Sequence, residues 1–162
     1  MKKWFLIFAF ILAFQSNPKL ISVLIAQEEL VLVNPIQQDA DIIDVKKVIE
    51  IYLQNFAKRD INSTMTQISK NFSGNMDGIV LDYDGFQAAL ETSLKRNLEI
   101  IISEIKIDVK SILNDKAVAN VEHRFQTFNI NRLENTDVII RIQLILAREG
   151  KSWKIVSRNK IQ

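Results

Sequence analysis

The apolar side chains of this chain change their spacing near residue 100. Before that point they recur about every 3.6 residues, and after it they alternate. Ile105, Ile107 and Val109 alternate with Glu104, Lys106, Asp108 and Lys110, the pattern of a strand buried on one face. Val45, Val48, Ile49, Tyr52, Leu53 and Phe56 instead form one apolar stripe of an amphipathic helix. Helices followed by a meander of strands must bury both apolar surfaces against each other. The expected fold class is therefore α+β, with a curved antiparallel sheet wrapped around about three N-terminal helices.

The elements can be placed along the chain. The first helix is expected from Asp41, with Asp41 or Asp44 as cap and basic residues Lys58 and Arg59 at its end. Pro35 is taken to break any longer helix. Asp60 can cap a short second helix over 61–69, whose apolar positions Ile61, Met65 and Ile68 continue to Phe72. Residues 71–78 contain Gly74 and Gly78 and read as a loop, followed by a brief strand at 79–81. Asp84 is the expected cap of a third helix from Phe86 to about Ile100, burying Phe86, Leu90, Leu94 and Leu98. Strands are then expected around 105–110, 117–128, 137–148 and 152–158. Asn114-Asp115-Lys116 and Glu149-Gly150-Lys151 are the tight turns.

The N-terminus is of another kind. Residues 1–26 read MKKWFLIFAFILAFQSNPKLISVLIA, with two lysines ahead of an unbroken apolar run from Trp4 to Phe14. This is the pattern of a signal peptide, so export to the periplasm or beyond is expected. The alternative is a membrane anchor over 4–26, which would have to carry Pro18 and Lys19 through the bilayer. Leu24 does not fit the small residue usual three positions before a cleavage site after Ala26. Residues 27–40 are read as a linker and 41–162 as the folded domain. The chain has no cysteine, so neither a disulfide nor a lipid-modified cysteine is available. Residues 1–26 hold three of the 21 basic residues and none of the 19 acidic ones, so without them 18 face 19. No basic stripe remains to argue for nucleic acid.

Several segments together resemble the nuclear transport factor two-like superfamily, the cone fold of polyketide-cyclase-like and ketosteroid-isomerase-like proteins. They are FAKRDINSTMTQISKNF, DYDGFQAAL, EIKIDVKSI, KAVANVEHRFQTF, DVIIRIQLILARE and the closing GKSWKIV. Asp60 and Phe72 take the places of the family's Asp after the first helix and its following aromatic. Gly150, Trp153 and Ile155 match its final Gly-x-Trp-x-Ile. The resemblance covers about residues 41–161 and implies an exported bacterial cone-fold protein, with dimerisation through the outer sheet face. It does not choose among enzymes, binding proteins and assembly domains, all of which use this fold.

Strand alternation gives an inventory of the cone's interior. Val121, His123, Phe125 and Thr127 share one face of their strand, and Glu122, Arg124 and Gln126 the other. Ile140 and Trp153 fall on the inner faces of the next two strands. The expected ligand-contacting set is thus His123, Tyr52, Phe125, Thr127, Trp153 and Ile140. His123 is the chain's only histidine and the only candidate base. Three uses are open to it: a hydrogen-bonded interior residue, a polar handle for a ligand, or a general base. Family members that transfer protons pair such a group with an interior carboxylate, and Glu104, Asp108 and Glu122 all fall on the outer face. No second His, no Cys and no inward carboxylate offers a metal site, and no cofactor is implied. The expected function is an exported module that binds a small apolar molecule or a partner in an apolar cone pocket, without catalysis. The alternative is an isomerase, cyclase or dehydratase using His123 as base. A third reading is an assembly domain whose cone is filled by Trp153, Phe125 and Ile140.

Overall fold

A computed structural model describes residues 35–76 and 78–161. Residues 1–26, where a signal peptide is expected, and most of the 27–40 stretch lie outside the described residues. The chain divides into two units, Met1–Gln38 and Asp39–Gln162. Apart from the first turn of α1, everything below belongs to the second.

Helix α1 runs from Pro35 to Ala57, starting six residues earlier than expected. Proline breaks a helix interior but is at home in the first turn, where its missing N–H has no partner to lose. Asp41 is therefore no cap. It is buried and its carboxylate accepts from the Arg148 guanidinium. Val45, Ile49, Tyr52 and Leu53 are buried, as the stripe requires. Arg59, in the left-handed region at φ 64°, leaves the helix. Its guanidinium donates to the carbonyls of Leu94 at 2.8 Å and Asn97 at 2.6 Å. It thereby satisfies the C-terminal end of a different helix, the one over Tyr83–Arg96, rather than its own.

Helix α2, Ile61–Met65, is capped by Asp60, which accepts from the Ser63 amide at 2.9 Å. It stops before residue 69 because the chain is recruited by the last strand. Ser69 donates its amide to the Ile155 carbonyl, and the Ile155 amide donates to the Gln67 carbonyl, both at 2.9 Å. The expected loop at 71–78 contains a strand: β1, Ser73–Met76, pairs antiparallel with β2, Ile79–Asp82. The Asp77-Gly78 dipeptide between them is a hairpin signal, and Gly78 supplies the φ of 89°. Gly74 is required by closeness. A Cβ there would lie 2.5 Å from the Phe72 ring and 3.0 Å from the Arg158 carbonyl oxygen.

Helix α3 spans Tyr83–Arg96 and is capped by Asp82, not Asp84, through a 2.9 Å bond from the Gly85 amide. It ends four residues short of expectation. Asn97 begins a strand, β3 (Asn97–Leu113), and Leu98, assigned by its helical spacing to a buried face, is 63% exposed on it. Pairing of Ile100–Ile102 with Phe125–Thr127 overrides the local helical pattern.

The main sheet is antiparallel in the order β3 (Asn97–Leu113), β4 (Lys116–Asn129), β5 (Glu134–Glu149), β6 (Ser152–Lys160). Asn114 and Asp115 form a two-residue turn with both φ values positive. Strand β3 carries three register irregularities, one beside Glu104 at φ 53°, the kind of kink that curves a sheet. Ala117, Ala119 and Val121 face the core, opposite Leu146, Leu144 and Ile142. The outer face is laced by ion pairs. Glu122 accepts from Lys106 at 3.0 Å and Arg141 at 2.7 Å, and Arg124 bridges Glu104 and Asp137. The α+β fold with a curved antiparallel sheet, expected from the change of period, is what the chain forms, and it is the cone that the resemblance implies.

Candidate functional site

Inside the cone lies a cavity of about 570 Å³. Leu53 and Phe56 of α1, Phe86 and Leu90 of α3, and Ile102, Phe125, Ile140 and Ile142 of the sheet make its walls. Its polar lining is Tyr52, Ser93, His123, Thr136, Arg141, Arg158 and Lys160, and no Asp or Glu among the described residues lines it.

His123 comes to the interior by plain alternation. Strand β4 pairs with β5 without a break along its whole length, so the inward phase set by Ala117 carries through to His123, opposite Ile140. Its residual exposure is 4%. Its Nδ1 has no hydrogen-bond partner among the described residues. Burial lowers its pKa from 6.5 to about 4, helped by the positive charge of Arg158. The imidazole is uncharged at neutral pH. Tyr52 is buried too, and desolvation raises its phenol above 10.0 even though the Arg158 guanidinium sits beside the hydroxyl as a hydrogen-bond donor.

Arg158 was not legible from alternation. Continuing the phase of Trp153 and Ile155 puts Ser157 inside and Arg158 outside. The structure reverses this with a β-bulge. Ile155 pairs with Leu146 and Ser157 with Ile145, leaving Val156 unopposed. Arg158 then lies opposite Leu144, a fully buried core residue, and Lys160 opposite Ile142. One extra residue turns both cations to the concave side. The adjacent apolar pair Ile155-Val156, which interrupts strict alternation, is the only trace of this in the sequence.

Of the expected contact residues, Tyr52, His123, Phe125 and Ile140 meet at the cavity. Trp153 and Thr127 do not. Trp153 is buried elsewhere in the core with the Arg148 guanidinium stacked 4.6 Å from its ring centre. The Thr127 hydroxyl donates to the Glu99 carbonyl of the neighbouring strand, and the residue lines a separate depression with Phe128 and Asp137. The cavity also sets aside the filled-cone reading, since Phe125 and Ile140 border the space rather than occupy it. As a base, His123 has neither of the aids that proton transfer needs. Its conjugate acid near 4 makes it weak, and the neighbouring charge that acts on it is a cation, not a carboxylate.

No family model matches the chain, and no curated protein matches it. Solved structures do. A hexachlorocyclohexane dehydrochlorinase from Novosphingobium barchaimii superposes with a TM-score of 0.71 at 11% identity, covering 79% of this chain and 90% of that one. A conserved protein from Planctomyces limnophilus gives 0.68 at 15%, covering 75% and 95%. A protein from Streptomyces avermitilis, provisionally assigned as a dehydratase of the nuclear transport factor two-like family, gives 0.63 at 11%, covering 76% and 99%. These likenesses establish the fold, in agreement with the resemblance of the sequence segments. At such identities they carry nothing about the reaction.

Proposed function

We propose that this chain is a binding protein that holds a small, mainly apolar molecule inside its cone and does not transform it. The observation that carries this reading is the cavity. At about 570 Å³ it falls within the range of about 300–1,000 Å³ typical of small-molecule sites. Its walls are apolar with a few convergent polar groups, the usual character of such sites. The rival reading, an enzyme of the isomerase, cyclase or dehydratase type, needs His123 to accept a proton. An imidazole with a pKa of about 4, beside Arg158 and away from any carboxylate in the lining, is poorly equipped for that step. Export by residues 1–26 belongs to the same proposal and would place the binding outside the cytoplasm.

Native mass spectrometry of protein purified from its own host tests the reading. A co-purifying small molecule, released on denaturation and chemically unchanged, is the expected result. A cone that stays empty, together with no thermal shift from any member of an apolar ligand panel, would overturn it.

A further inference from the structure

We infer that the molecule held in the cone is an apolar carboxylic acid, and that Arg158 pairs with its carboxylate. This rests on the reading of the cone as a binding site and adds the charge of what it binds.

The main-sheet arginines make the contrast. Arg124 pairs with Glu104 and Asp137, Arg141 with Glu122, and Arg148 with Asp41 and Asp115. All of those carboxylates are supplied by the chain itself. Arg158 is half-buried, lines an apolar cavity and forms no ion pair with a carboxylate of the described residues. A guanidinium cannot relieve its burial by losing a proton, and a charge held in apolar surroundings without a counter-charge is costly. The bulge at Val156 is what turns it inward. Without the bulge, the uncharged Ser157 would face the core.

Two neighbours complete a carboxylate site. The Tyr52 hydroxyl, itself buried, lies beside the guanidinium and can accept from it. The remaining N–H groups of a planar guanidinium match the two oxygens of a carboxylate. His123 lines the same cavity and is more than nine-tenths buried. A neutral imidazole carries one N–H, which can donate to a carboxylate oxygen. The rest of the wall, from Leu53 and Phe56 to Ile140, suits an aliphatic or aromatic body.

Isothermal titration of the purified chain decides the point. The probes are straight-chain and phenyl-substituted alkanoic acids, each measured beside its matched primary alcohol. The acids should bind at least about tenfold more tightly than the alcohols, the scale of one hydrogen-bonded charge pair. Arg158→Met should erase the difference between each acid and its alcohol. Alcohols that bind as tightly as their acids would overturn the carboxylate assignment while leaving the apolar binding site standing. Failure of both series would overturn both. The acid-to-alcohol comparison on the unaltered chain needs no variant, so it decides the matter even if Arg158→Met does not fold.

Discussion

His123 gives the fold a pH dependence that can be worked out from its surroundings. Its pKa falls from 6.5 to about 4 through burial and the nearby Arg158 charge. Above about pH 6.5 the ring is neutral in both folded and unfolded chains, and native stability is complete. As the pH drops from there toward 4, the unfolded chain takes up a proton that the native state refuses, so stability is lost over that window. Below about 4 both states carry the proton and the loss stops. At about 1.4 kcal/mol per pH unit the gap corresponds to about 3 kcal/mol, which solvent screening through the cavity trims to about 2 kcal/mol. The measurement is urea unfolding followed by circular dichroism at steps between pH 7.5 and 4, for the natural chain and for His123→Gln. Subtracting the variant removes the titration of the carboxylates, and the difference should fall by about 2 kcal/mol between pH 6.5 and 4. A flat difference would refute the placement of a neutral histidine in the cone. Because the chain has a single histidine, its ring proton resonances offer an independent check: a midpoint near 6.5 would be equally fatal.

Gly74→Ala should destabilise by about 1–3 kcal/mol, because the new methyl meets the Phe72 ring and the Arg158 carbonyl; thermal unfolding reads this, and a neutral result would mean that β1 does not press on β6. Ile49→Ala removes a fully buried side chain of α1 and should cost about 2–5 kcal/mol in denaturant unfolding. Tyr52 has its phenol raised by burial, so its contribution to stability is present below pH 10 and lost as the pH rises beyond it. The ultraviolet phenolate signal that separates the natural chain from Tyr52→Phe should therefore appear only with alkaline unfolding, and its appearance while the fold is intact would show Tyr52 to be exposed.

Where strands pair without interruption, the sequence is a reliable guide to the inside of the cone. His123 was placed correctly because β4 and β5 keep one register from Lys116 to Asn129. Errors fell where a distant contact or an extra residue decides the outcome. Leu98 has helical spacing, but β4 draws it into a strand. Residues 67–69 continue a helical pattern yet are held by the backbone of Ile155. The start of α1 was missed because proline is a barrier inside a helix and an asset at its beginning. The most costly omission for function was Arg158, whose direction depends on a single unopposed valine that no local propensity marks.

That valine divides β6 into two segments with independent phases. The first, with Trp153 and Ile155, belongs to the core; the second, with Arg158 and Lys160, belongs to the cavity. A slip of one residue confined to the second segment would replace both cations by Ser157 and Asn159 while leaving the core residues in place. The electrical character of the interior is therefore set by where the strand breaks step, and a residue inserted or deleted at the bulge would turn both cations away from the chamber without rebuilding the cone around it.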